Sequence, residues 1–179
     1  MTRSEVRVPH RPPFCMNISV RKADLADTLA IVDILTAAVQ YKLNHNDISW
    51  GSEPFSEREV RALIKTASMF MAYRGMDLVA TFGLDWEDER IWGVQPPMAG
   101  YIHRLATKNT MHGLDAGKTV IDWAAAEVAK NGRQYLRLDS DARNTKLCAY
   151  YEGQGFKLVS KKLIPSHKDY YANLYERHV

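Results

Sequence analysis

Between Ala99 and Leu138 the hydrophobic period of the chain changes twice, and this change restricts it to a small set of folds. Strand-like residues run from Ala99 to Ala106, and a turn containing Gly113 and Gly117 follows. Val120, Ile121, Ala124, Ala125 and Val128 then recur at helical spacing between about Leu114 and Lys130, and Asn131-Gly132 supplies a stop. Gln134 to Leu138 is strand-like again. A strand, a helix and a strand with short connections predict a parallel pair, with the helix as the crossover.

The flanking segments extend this unit into a sheet. Asn17 to Arg21 reads as a strand. From Asp24, a candidate N-cap, a helix carries Ile31, Ile34, Leu35 and Ala38 on one face and ends near Tyr41 to Asn46. Ser56-Glu57-Arg58-Glu59 has the form of a capping box, because hydroxyl and carboxylate each satisfy an orphan backbone N–H, and a shorter helix follows to about Ala67. Ser68 to Arg74 and Asp77 to Asp85 form a hairpin around Gly75, and the loop with Pro96 and Pro97 leads to the strand at Ala99. After Leu138 come a helix over about Thr145 to Gly153 and strands at Phe156 to Ser160 and near Tyr171 to Arg177. The expected class is α/β (α+β): a mixed, mostly antiparallel central sheet of about seven strands with helices on both faces.

Composition narrows the function. A chain of 179 residues, 46% hydrophobic and 25% charged, suits one soluble domain, read here as residues 16–179 behind a flexible tail over residues 1–15. Met16 directly precedes the first strand and is a second candidate for the translation start. The net charge of +3 is spread along the chain, so nucleic acid is not an expected partner. The two cysteines, Cys15 and Cys148, fit neither a zinc site nor a disulfide framework; free thiols in a reducing compartment and no metal are expected. No apolar stretch approaches the roughly 18 residues of a membrane span and no signal peptide is evident, so no membrane association and a cytoplasmic location are expected.

Two segments carry chemistry. Leu105-Ala106-Thr107 ends a strand, and Lys108 through Lys118, including His112, Gly113, Leu114, Asp115, Ala116 and Gly117, opens a helix. A strand breaking into a small-residue turn at a helix start aims unpaired N–H groups at one spot, which suits a pyrophosphate. In the second, Asn144 through Phe156, Asn144 reads as an N-cap, Gly155 as the left-handed residue that ends the helix, and Phe156 as a core anchor.

Together with the element order, these segments resemble the GNAT superfamily of acyl-CoA-dependent N-acyltransferases over roughly Met16 to Val179. The first resembles the family's cofactor motif, a Leu-Ala-Val strand end followed by Arg/Gln-x-x-Gly-x-Gly/Ala, with His112 at the Arg/Gln place and Gly117 at the second glycine. Asp115 stands where the first glycine is expected, and Thr107 replaces valine. The second resembles Asn-x-x-Ala-x-x-x-Tyr-x-x-x-Gly-Phe, with Leu147 in the alanine place and both other spacings intact.

The resemblance implies splayed fourth and fifth strands with acetyl-CoA held between Leu105 and Tyr151, on Leu105, Ala106, Thr107, His112 through Lys118, Asn144 and Tyr151. It implies direct attack by a small-molecule or peptide amine, Tyr151 as the group that protonates the departing thiolate, and oxyanion stabilisation by backbone N–H groups near Leu105 to Thr107. A packed aromatic is the structural alternative for Tyr151. His103, on the same side of its strand as Leu105, matches a histidine of arylalkylamine acyltransferases and is the candidate base; Asp139 or ordered water are the alternatives. Trp50, Trp86 and Tyr170, with Asp139, are the candidate acceptor contacts, and a homodimer is a common assembly among relatives. A degenerate acyl-CoA-binding module without turnover is the competing reading, motivated by Asp115.

Overall fold

A computed structural model describes residues 18–66, 68–108, 115–165 and 170–179 of the chain. The first half contains β1 (Ile18–Lys22), a single 3-10 turn (Leu25–Asp27), α1 (Thr28–Leu43), α2 (Glu57–Thr66), β2 (Met69–Arg74) and β3 (Asp77–Asp85). Then come α3 (Glu89–Trp92), β4 (Ala99–Thr107), α4 (Ala116–Lys130), β5 (Tyr135–Asp141), α5 (Thr145–Gly153), β6 (Lys157–Ile164) and β7 (Tyr170–His178).

Local sequence chemistry fixes most boundaries. Asp24 accepts from Ala26 N at 2.8 Å, while Asp27, held by Arg21 at 2.6 Å, accepts from Asp24 N at 2.9 Å; this box closes the 3-10 turn, so α1 itself starts only at Thr28. The Ser56–Glu59 box forms as expected, with Ser56 N donating to Glu59 at 2.8 Å and Glu59 N to the Ser56 hydroxyl at 3.3 Å. Asn144 caps α5 by accepting from Leu147 N at 3.0 Å, and Gly155 leaves that helix with φ +84°. The four-residue α3 lies inside what the sequence reads as a loop, started by Asp88, which accepts from Ile91 N at 3.2 Å.

The sheet order is β1-β2-β3-β4-β5-β7-β6, and β4–β5 is its only parallel pair among the described residues, with α4 as the crossover. The last strand does not close an edge. It inserts between β5 and β6, antiparallel to both, and β6 becomes the edge, where Lys157, Lys161 and Lys162 discourage pairing with a further strand.

Two apolar layers enclose the sheet. On one face Val120, Ile121, Ala124 and Val128 of α4 and Tyr151 of α5 pack on Phe82, Ile102, Leu136 and Leu138. Phe70 stacks on Phe82 at 5.4 Å and Trp123 closes on both, each ring pair adding about 0.5–1.5 kcal/mol beyond its area. On the other face Ile31, Ile34 and Leu35 of α1 and Val60 of α2 pack on Met69, Met71 and Ala106. Near β7, Ile91 of α3 rests on Ile164 and Leu174.

Candidate active site

The sheet opens where β4 and β5 part. They pair only over Ala99–Tyr101 against Tyr135–Arg137; β4 then continues to Thr107 and β5 to Asp141 without pairing. Opposite β3, one extra residue enters β4, because Thr81 faces Ala106 while Gly83 faces His103. Arg104 absorbs it with φ +50°, and such a bulge bends its strand. A cavity of about 770 Å³ fills the gap, lined by both strands, the start of α4, α5 and the α1–α2 loop. Backbone groups of β4 that point toward β5 beyond Tyr101 therefore have no ladder partner.

The α4/α5 side of the cavity holds the residues of both motifs. Leu105, Ala106, Thr107, Ala116, Gly117 and Asn144 line it, as do Tyr150 and Tyr151. Tyr151 is 8% exposed, with its ring against Tyr150, Phe156 and Tyr175. Burial holds its phenol well above the ordinary tyrosine range, and the negative charges of Asp139 and Asp47 add to this, so it stays protonated at neutral pH. A Cβ on Gly117 would meet the Tyr150 hydroxyl, the far end of a partly exposed side chain, at 2.7 Å, so a larger residue there displaces that ring. Asp115 precedes α4 with φ +56°, the left-handed conformation that explains a glycine at this motif place, and its side chain makes no cap hydrogen bond. Lys118 lies outside the cavity lining and pairs with Asp122 at 2.5 Å. His112, Gly113 and Leu114 lie outside the described residues.

Charged groups gather on the opposite side. His103 and Asp139 line the cavity from the parted strands, Asp88, the N-cap of α3, lines a small neighbouring cleft instead, and one ligand atom from each lies within 4.8 Å of the others. A divalent cation or an ammonium group fits a set of this size. One carboxylate oxygen of Asp88 is buried without a partner. Burial raises the pKa of Asp139, with Asp88 adding to the effect and His103 opposing it. Asp141, not Asp139, holds the following turn, by accepting from Arg143 N at 2.9 Å. Arg90 and Arg104 also line this side, and burial together with Arg90 lowers the pKa of Arg104.

The α1–α2 loop is anchored over the opening by Asp47, whose side chain is fully buried. It accepts from Lys42 at 2.5 Å, Asn144 Nδ2 at 2.8 Å and the Ser49 hydroxyl at 2.7 Å. Burial pushes this carboxyl up, but the Lys42 ammonium and these hydrogen bonds outweigh it, leaving its pKa below the usual carboxylate range. Trp50 and Tyr170 face the cavity, and burial followed by the charge of Asp139 pushes the Tyr170 phenol up to about 12. Trp86 does not join them. It packs beside the α4 core with Arg133 stacked over it at 4.7 Å, a pairing across 47 residues that local sequence does not reveal.

The model of the acetyltransferase (GNAT) family matches residues 32–156. No curated protein matches the sequence significantly. Among solved structures, the ribosomal-protein-alanine N-acetyltransferase of Brucella melitensis aligns with a TM-score of 0.69 at 15% identity, over 90% of this chain and 99% of that one. The PaiA N-acetyltransferase of Thermoplasma acidophilum in complex with coenzyme A gives 0.68 at 17% identity, over 92% and 100%. A Salmonella typhimurium protein with its cofactor acetyl-CoA gives 0.66 at 13%, over 90% and 94%. These likenesses establish a shared fold, and the family model spans both cavity-lining motifs: the chain belongs to the acetyltransferase (GNAT) family, whose acyl donor is acetyl-CoA.

Proposed function

We propose that the protein transfers the acetyl group of acetyl-CoA to a primary amine of a small molecule or peptide, by direct attack within a ternary complex. The observation that carries this reading is the parting of β4 from β5 after Tyr101, which opens a cavity between Leu105 and Tyr151. Acetyl-CoA supplies a thioester carbonyl, to which the amine nitrogen bonds as the carbon–sulfur bond breaks.

The open backbone of β4 near Leu105 to Thr107 receives the donor along the strand and faces the oxyanion with N–H groups. Residues from Asp115 to Gly117, at the start of α4, take the pyrophosphate end. Tyr151 gives its proton to the leaving sulfur. The burial that keeps this phenol protonated also raises the proton affinity of a thiolate formed beside it. On the other side His103 takes the proton of the attacking amine, and Asp139 faces the resulting imidazolium. The same reading places the protein in the cytoplasm and includes a homodimer as its assembly.

The test is thiol release from acetyl-CoA across a broad amine panel. Release that depends on an amine supports transfer. Saturable binding of CoA without release for any amine supports the alternative of a binding module, which Asp115 beside the phosphate turn favours.

A further inference from the structure

The charged side of the cavity has a polarity of its own. Asp88 is fixed by its cap bond to Ile91 N, which leaves its second oxygen buried and unpartnered beside His103 and Asp139. A buried carboxylate oxygen without a donor is costly, so this set is short of a hydrogen-bonding cation. Arg90 and Arg104 line the same cavity; neither makes a hydrogen bond or an ion pair among the described residues, although the charges of Asp85, Asp139 and Asp88 act favourably on Arg104. Two guanidinium groups near each other, one half-buried on a strand bulge, repel, and a planar anion relieves both by accepting from their forked donors.

The anion is not the donor's pyrophosphate. Along β5, Leu136 and Leu138 face α4 and α5, and alternation turns Asp139 to the other face; Tyr101, packed on Trp92 of α3, marks that face on β4. Gly117 and Asp115, at the phosphate turn, lie at the start of α4. An ammonium-seeking set and an anion-seeking pair thus share the acceptor's side of the sheet.

We propose that the acceptor is a zwitterionic amine of the amino-acid type, its ammonium received by His103 and Asp139, with Asp88 close to both, and its carboxylate by Arg90 and Arg104. This deepens the acetyl-transfer reading and rests on it for the word acceptor. Binding of such a molecule is measurable without turnover.

The experiment compares matched pairs with and without the carboxylate: L-phenylalanine with 2-phenylethylamine, and L-methionine with 3-(methylthio)propylamine. Thiol release gives kcat/KM, and calorimetric titration of the CoA-saturated full chain gives affinity. Charge-assisted hydrogen bonds of about 1.5–3 kcal/mol predict that the amino acid of each pair is favoured by about 10-fold or more in both readouts. Arg104→Gln and, independently, the surface variant Arg90→Gln should collapse that ratio toward one, through KM rather than kcat. Equal or better use of the plain amines by the wild type, or a ratio that survives in both variants, overturns the proposal. Absence of thiol release with every amine defeats the transfer reading alone, and the titration then decides the inference: a preference for the amino acids sustains it, and equal or no binding overturns it.

Discussion

Asn144 ties together two parts of the chain 97 residues apart: its Oδ1 caps α5 by accepting from Leu147 N at 3.0 Å, and its Nδ2 donates to Asp47 at 2.8 Å. The residue that starts the tyrosine-bearing helix therefore also pins the loop that roofs the acceptor side. Both walls of the cavity depend on one amide group.

This contact makes stability pH-dependent. The folded Asp47 carboxyl titrates below its unfolded value of about 3.9, so between the two the unfolded chain binds more protons and stability rises with pH. The contribution is complete above the unfolded value and is lost as pH falls through the folded one. Asp47→Asn leaves Lys42 without its charge partner and should cost about 3–5 kcal/mol at pH 7, with a smaller loss on acidification. Urea unfolding at pH 7, 5 and 3 checks this; an unaltered midpoint at pH 7 would show that the loop is held by other contacts.

Tyr151→Phe removes one hydroxyl from a ring otherwise fixed by Tyr150, Phe156 and Tyr175. Loss of a positioned proton donor predicts a fall in kcat of about 10²-fold or more, with CoA affinity changed less than about 3-fold. Steady-state kinetics and CoA titration separate the two. Undiminished kcat would leave Tyr151 as packing.

Asp115→Gly acts on backbone and charge together. Glycine accepts the left-handed φ of +56° without the strain of a Cβ, worth up to about 1 kcal/mol, and the change removes a carboxylate from the phosphate turn. At about 1 kcal/mol for like charges near 4 Å in water, CoA should bind about 5-fold tighter. Greater thermal stability with unchanged CoA affinity would mean that the carboxylate points away.

Gly117→Ala gains up to about 1 kcal/mol of helix propensity but places a Cβ 2.7 Å from the Tyr150 hydroxyl. That hydroxyl ends a side chain that is 38% exposed, so the ring swings aside cheaply: stability should change by no more than about 1 kcal/mol, while the displaced ring weakens CoA binding. Adding Tyr150→Phe removes the clashing atom and should restore CoA affinity. Failure of the double variant to recover would place the strain elsewhere.

Local signals were readable in the sequence where a residue acts on its own neighbours. The Ser56–Glu59 box, the Asn144 cap, the left-handed Gly155 and the parallel β4–β5 pair follow from spacing, and the structure contains each of them. What spacing does not carry is long-range placement. A four-residue helix is too short to show a period, so Arg90 was not expected at the cavity. A left-handed arginine inside a strand has no compositional mark, so Arg104 was missed as well. The insertion of β7 between β5 and β6 is a choice among distant pairings that no local pattern encodes.

The most direct test of the whole account is a crystal structure of the protein with coenzyme A. The account predicts the pantetheine arm lying between the unpaired parts of β4 and β5, with its sulfur within hydrogen-bond reach of Tyr151 Oη. An arm bound elsewhere, with the gap between Leu105 and Tyr151 closed by the protein's own side chains, would contradict it.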